Sequence, residues 1–184
     1  MTIPAAHGGP ELRALFALFP HADDVPEYEI VPGAAVPAPY QGLLVHEHHM
    51  TVTVESFYKS LVDVRILTCR QSADDYARKI LLVLQSDGRV IQFGIMRIIL
   101  GYCSPAVQAA IVAGKTPLGR ILIEHDVLRR IEPTAYLRVM PGRAMMEWFR
   151  LSEPLPTYGR LAYIHCNEQP AVELLEIVAP VASS

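Results

Sequence analysis

Alternation of apolar and polar positions dominates the middle and the end of the chain and predicts β-strands. The clearest examples are Val62–Leu67 and the apolar runs Tyr76–Leu84 and 89–100. Asp87-Gly88 lies between the last two runs, and because this dipeptide favours a tight hairpin turn, those two strands are predicted to be antiparallel. Further strands are predicted at 135–139, 145–151, 158–166 and 171–178.

Helical spacing of apolar residues is confined to shorter segments. Leucine and phenylalanine recur at helical intervals between Pro10 and Phe19, which predicts a short amphipathic helix. Ser104 is a good N-cap and Pro105 suits the first helical position, so a second helix is expected from 105 to 114. Shorter helical segments are predicted at 52–60, 117–122 and 127–132. Strands joined as hairpins, with helices between them, indicate the α+β class with an antiparallel sheet.

The length and composition favour one domain over residues 1–184 with a large apolar interior. The first forty residues comprise the amphipathic helix and a proline-rich covering segment, since five prolines between Pro20 and Pro39 disfavour regular structure. With 51% hydrophobic residues, the chain has enough apolar material for a core and an enclosed pocket.

Charge and hydropathy exclude several classes of protein. The net charge of -3 provides no basic field, so no nucleic-acid partner is expected. No apolar run reaches the roughly 20 residues of a membrane span, and the N-terminus lacks the features of a signal peptide, so we expect a cytoplasmic location. Cys69, Cys103 and Cys166 form no metal-like pair and are interpreted as buried thiols in a reducing compartment.

The histidine cluster His46-Glu47-His48-His49 has two interpretations. Three imidazoles and a carboxylate so close together would suit a metal-dependent enzyme. Alternatively, the cluster precedes a helix that begins near Thr51, and the imidazoles are partly solvated. The absence of a second ligand cluster downstream favours the second interpretation.

Two charged residues interrupt apolar strands, Arg78 in one and Glu176 in another. A charge in a buried strand is costly unless it is paired or meets a ligand. Either Arg78 and Glu176 pair with each other, or both line a cavity and meet a polar substrate. Gly94 interrupts a third strand, which is typical of a bulge or of close approach by a ligand. A guanidinium, a carboxyl group and a glycine in an apolar sheet would suit a small aromatic acid.

Four segments together resemble the chorismate pyruvate-lyases, also called 4-hydroxybenzoate synthases, which begin ubiquinone biosynthesis in bacteria. They occur in the order found in that family, between about residues 43 and 180. The segments are His49-Met50-Thr51, Tyr76 to Leu82 around Arg78, Gly114-Lys115-Thr116-Pro117-Leu118-Gly119-Arg120, and Tyr158-Gly159-Arg160 followed by the strand with Glu176.

The resemblance implies a chorismate lyase-like fold, in which helices and flaps on a single six-stranded antiparallel sheet enclose a buried ligand pocket. Arg78 would bind the substrate carboxylate, the main chains at Met50 and Leu118 would close over it, and Glu176 would meet the ring oxygen or move a proton. Gly94 would be the point of close approach. The reaction would eliminate pyruvate from chorismate, giving a hydroxybenzoate, without a metal or organic cofactor.

The chain departs from the family pattern where a flap would close. His48 and His49 precede Met50, and the imidazole of His49 could recruit a second anionic group of the substrate. The segment Pro20–Pro39 has no counterpart in the family.

A non-catalytic alternative follows from the same sheet architecture. It also serves as an effector domain in some transcriptional regulators, which bind a small aromatic acid without converting it. The first forty residues are too short and too rich in proline to supply the helix-turn-helix that usually precedes such domains. Either interpretation requires a small-molecule partner, and both leave open the isomer and the choice between monomer and dimer.

Overall fold

The computed structural model describes residues 10–19 and 25–181. Within these residues it contains one antiparallel sheet of seven strands, in the order β1-β5-β6-β7-β4-β3-β2. The strands are β1 (Glu27–Val31), β2 (Val62–Gln71), β3 (Asp75–Leu84), β4 (Val90–Ile99), β5 (Arg129–Met140), β6 (Thr157–Cys166) and β7 (Gln169–Val178). The helices are α1 (Leu12–Phe16), α2 (Tyr40–Leu44), α3 (Met50–Tyr58), α4 (Pro105–Ala113), α5 (Leu118–Glu124) and α6 (Arg143–Phe149).

The predicted α+β class with a single antiparallel sheet is confirmed, but the expected count of six strands is wrong. The additional strand is β1, which lies in the proline-rich segment and pairs with β5 at the edge of the sheet. Pro26 and Pro32 flank this strand rather than interrupt it, so no ladder hydrogen bond is lost.

Among the described residues, three of the six connections between consecutive strands are hairpins, namely β2–β3, β3–β4 and β6–β7. Gly88 closes the β3–β4 turn with φ of 72°, and the Leu84 amide donates to the Arg89 carbonyl over 2.9 Å. Ser104 caps α4 by accepting a hydrogen bond from the Val107 amide over 3.4 Å. Both features were expected from the sequence.

Two short segments have the opposite structure to the one predicted. The segment 127–132 was expected to be helical, but from Arg129 onward it forms the start of β5. The segment 145–151 was expected to be a strand, but most of it lies in α6, where Met145, Trp148 and Phe149 face the sheet at helical spacing. Apolar runs this short do not distinguish a buried strand from a buried helix.

The two faces of the sheet are covered differently. On one face, α1 and α6 pack against the strands, with Phe16 5.8 Å and Trp148 5.1 Å from Phe93 between ring centroids. On the other face, α2 to α5 cover the sheet and enclose the space described below.

Two further observations concern cysteines and membrane spans. Cys103 and Cys166 are buried as expected, whereas Cys69 is exposed near the end of the edge strand β2. None of the helices in the described ranges is long and apolar enough to cross a membrane.

Candidate functional site

A cavity of about 60 Å³ lies between the sheet and the N-terminal turns of α3 and α5. Its apolar walls include Met50, Ile80, Leu82, Met96, Leu118 and Leu174. Its polar lining consists of His49, Thr51, Arg78, Gln92, Arg160 and Glu176. Few polar groups in an apolar chamber are typical of a small-molecule site.

Strand register brings Arg78 and Glu176 to this cavity. Ile80, Gly94 and Glu176 lie directly opposite one another across β3, β4 and β7. Arg78 is two residues from Ile80 on the same strand and therefore points to the same face of the sheet. At Gly94 a Cβ atom would lie 3.3 Å from the Leu175 carbonyl oxygen and 3.5 Å from Ile80, so the glycine lines the floor without a side chain.

Glu176 pairs with Arg160, which the sequence analysis gave no role. The Arg160 Nε donates to Glu176 Oε2 over 2.7 Å, and the arginine is 1% exposed. Its other nitrogens donate to the carbonyls of His46 over 2.8 Å and His48 over 3.1 Å. Arg160 therefore fastens the segment before α3 to the sheet. The sequence contained a signal for this role. Arg160 lies two and four residues before Ala162 and Ile164 on β6, so its side chain points to the same buried face of the strand.

Arg78 is buried, and no carboxylate of the described residues pairs with it. It is 1% exposed, and neither Nε nor Nη1 has a hydrogen-bond partner among the residues that the structure describes. Burial lowers the pKa of Arg78, an effect that the neighbouring Tyr76 and Cys69 oppose. Arginine nevertheless stays protonated in proteins, so the cavity contains a desolvated positive charge. The proposed pairing of Arg78 with Glu176 is not found, whereas both side chains line the cavity.

His49 forms the wall between the cavity and an open groove of about 710 Å³, since it lines both spaces. Its ring packs on Gly119, where a Cβ atom would lie 3.1 Å away, and its Nε2 accepts a hydrogen bond from Arg129 Nε over 2.8 Å. Burial, followed by Arg129 and Arg160, lowers the pKa of His49 to about 4. The imidazole is therefore neutral near pH 7 and carries no charge for a second anionic group.

The metal interpretation of the histidine cluster finds no support in the geometry. His46 Nε2 lies 2.7 Å from the Leu43 carbonyl, and its ring stacks on His48 with centroids 5.5 Å apart. His49 points away from them, toward Arg129. Across residues 10–19 and 25–181, no group of three or more His, Cys, Asp or Glu side chains could hold a metal ion.

Met50 and Leu118, whose main chains were expected to close over a ligand, lie at the starts of two helices. Met50 begins α3 and Leu118 begins α5, and both residues line the cavity. Glu55 of α3 is ion-paired with Arg120 of α5 and also accepts a hydrogen bond from the Val62 amide over 2.9 Å. The two helices that cover the cavity are thus held to each other and to β2.

No protein-family model matches the chain, and no curated protein matches it either. Similar solved structures include the ligand-binding domain of a protein from Bordetella bronchiseptica that is assigned to the GntR family of transcriptional regulators. It has 12% sequence identity and a TM-score of 0.49, and the match covers 67% of this chain and 92% of that one. PhnF from Mycobacterium smegmatis has 9% identity and a TM-score of 0.48, covering 74% and 65%. YydK from Bacillus subtilis, described as a possible transcriptional regulator, has 10% identity and a TM-score of 0.46, covering 67% and 62%.

These findings contradict the expected chorismate pyruvate-lyase, together with its assignment to ubiquinone biosynthesis. One of these structures is described as the ligand-binding domain of a regulator and another as a possible transcriptional regulator, and none of the three is described as a lyase. The site points the same way, because Glu176, the group expected to move a proton, is engaged in an ion pair with Arg160.

Replacing each buried arginine with methionine should change stability in opposite directions. Arg78→Met removes an unpaired buried charge and should raise the free energy of unfolding by about 1–4 kcal/mol, whereas Arg160→Met leaves Glu176 unpaired and should lower it by about 3–5 kcal/mol. Urea denaturation at pH 7 without added ligand measures both values. Equal losses in the two variants would mean that Arg78 has a structural partner.

His49 should make stability depend on pH between about 4 and 6.5. The unfolded chain takes up a proton near the ordinary pKa of 6.5, whereas the folded chain resists it until about 4. The free energy of unfolding should therefore be greatest above pH 6.5 and should fall by up to about 3 kcal/mol as the pH drops to 4.

The variant His49→Gln should lose this part of the slope when denaturation is repeated across that pH range. The exposed Gln41→Leu on α2, which removes no titratable group, serves as the control and should keep the wild-type slope. An unchanged slope in His49→Gln would refute the assignment.

Proposed function

We propose that this domain binds a small organic carboxylate without converting it. The observation that carries the proposal is the buried guanidinium of Arg78, a residue that lines an apolar cavity and whose Nε and Nη1 lack partners within the described structure. A desolvated cation of this kind is costly to fold and is compensated when a carboxylate accepts its hydrogen bonds in a bidentate geometry. The folded domain thus carries an electrostatic preference for an anion.

The charges around Arg78 leave it available for a ligand. Glu176, the acidic side chain of the cavity, is neutralised by Arg160 over 2.7 Å. The remaining polar side chains of the lining, His49, Thr51 and Gln92, carry no negative charge at pH 7. A bound carboxylate would therefore meet a net positive environment.

The cavity volume limits the ligand. At about 60 Å³ the space exceeds the 10–15 Å³ required for one water, but it is smaller than the ~150 Å³ cavity that admits benzene. A short aliphatic acid fits the walls as they stand. An aromatic acid requires movement of Met50 or Met96, which line the space and whose unbranched side chains change rotamer readily.

Binding without turnover follows from the state of the candidate acid–base groups. Glu176 is ion-paired with Arg160, and His49 Nε2 accepts a hydrogen bond from Arg129. Proton transfer requires a group within hydrogen-bond reach of the substrate and free to exchange a proton. Both groups here are instead used to hold the walls of the cavity. An effector-type role, in which ligand occupancy is the signal, is the function that this arrangement supports.

Carboxylate binding should depend on Arg78. Calorimetric titration of the wild type with propionate, benzoate and 4-hydroxybenzoate should give saturable binding of at least one acid, and Arg78→Met should weaken it by about a hundredfold because two charge-assisted hydrogen bonds are lost. The exposed Arg65→Met removes the same charge from the neighbouring strand β2 and should bind as the wild type does.

Turnover is checked in the same samples. Incubation with chorismate in the presence of EDTA should release no pyruvate. Pyruvate release would refute binding without turnover, and equal affinities in wild type and Arg78→Met would refute the carboxylate site.

A further inference from the structure

Gln92 is a second buried polar group in the same cavity without a complete set of partners. The residue is 3% exposed, and its Oε1 has no hydrogen-bond partner within residues 10–19 and 25–181. Its neighbours across the sheet, Leu82 on β3 and Val178 on β7, are apolar. Buried amide oxygens are nearly always hydrogen-bonded in folded proteins, so this one indicates a place for a ligand atom.

The position of Gln92 relative to Arg78 defines the orientation of a ligand. Arg78 lies opposite Met96 on the neighbouring strand. Gln92 is four residues from Met96 along β4, which corresponds to about 13 Å between the Cα positions of Gln92 and Met96. Gly94 lies midway between Gln92 and Met96 on β4, and because it has no side chain, it leaves space above the sheet between the two polar groups. A ligand lying over Gly94 would face the guanidinium at one end and the amide at the other.

The chemistry of the two ends differs. The guanidinium donates hydrogen bonds and carries a positive charge, whereas an amide oxygen accepts a hydrogen bond and is neutral. A second carboxylate at the far end would face the amide oxygen of Gln92, which is an acceptor and offers it no hydrogen bond. An ammonium group would lose its hydration without a free carboxylate to compensate it, since Glu176 is taken by Arg160.

We infer that the ligand is a carboxylic acid with an uncharged hydrogen-bond donor at its opposite end, a hydroxyl or neutral amine group that donates to Gln92 Oε1. This inference rests on the proposed carboxylate site and adds the second contact that selects among carboxylic acids. A site built to hydrogen-bond a donor discriminates against analogues that lack it, because the buried acceptor is then left unpaired.

The test compares acids that differ by one donor. Two pairs of probes cover two sizes, 4-hydroxybenzoate with 4-fluorobenzoate, and 4-hydroxybutyrate with pentanoate. Calorimetric titration of the wild type should show that the donor-bearing acid of the pair that binds has about tenfold higher affinity. In Gln92→Leu this preference should fall to within about twofold.

Gln92→Leu should fold, because it replaces an unsatisfied polar group with an apolar one of similar size. Gln92→Met is the second variant for the same measurement, and a thermal unfolding midpoint no lower than that of the wild type confirms folding. The exposed Gln41→Leu on α2 is the matched control and should keep the full tenfold preference.

The outcomes separate this inference from the function on which it rests. If an acid binds in an Arg78-dependent manner but the donor makes no difference, the Gln92 contact is wrong and the carboxylate site stands. If the preference survives in Gln92→Leu, another group such as Glu176 accepts the donor and the inference is again wrong. If no acid of either pair binds to the wild type, the carboxylate site fails and the Gln92 contact fails with it.

Discussion

Among the described residues, two buried guanidinium groups line one cavity with a single carboxylate, and this imbalance of charge organises the site. Arg160 forms an ion pair with Glu176 and donates hydrogen bonds to carbonyls of the segment before α3, so its charge and its donors are satisfied within the fold. Arg78 lies on the same face of the sheet, and its Nε and Nη1 have no hydrogen-bond partner among the residues that the structure describes. Within the described residues the folded domain thus keeps a desolvated positive charge without a carboxylate to neutralise it, and this charge lowers the stability of the fold.

The covering elements follow from the same arrangement. Arg160 holds the chain before α3, the ion pair between Glu55 and Arg120 joins α3 to α5, and Arg129 fixes His49 against Gly119. Each of these contacts brings a helix start or a side chain over the sheet instead of leaving the cavity open. The walls are therefore held by polar contacts at their rim, while the space inside is lined mainly by aliphatic side chains and methionines.

Much of the fold and part of the site could be predicted from local sequence physics. Alternation and the Asp87-Gly88 turn predicted the hairpins. Charges in apolar strands singled out Arg78 and Glu176 and left two alternatives, pairing with each other or lining a shared cavity. The partner of Glu176 could not be predicted, because pairing depends on the long-range register of β6 against β7. Strand β1 was missed since its flanking prolines resemble those of an irregular segment. The lyase assignment was wrong because it was based on motifs whose residues form the cavity. A reaction depends in addition on which acid–base groups are free inside the cavity, and Glu176 is ion-paired with Arg160.

The most direct test of the account observes the Arg78 guanidinium itself. In a ¹⁵N-labelled sample, the Nε–H resonance of Arg78, assigned by its loss in Arg78→Met, is followed by NMR during titration with a small carboxylate. The account predicts a saturable shift of this resonance toward the position typical of a charge-assisted hydrogen bond, while the Arg160 resonance stays near its starting position. An unchanged Arg78 resonance at saturating ligand, or a shift confined to another arginine, would contradict it.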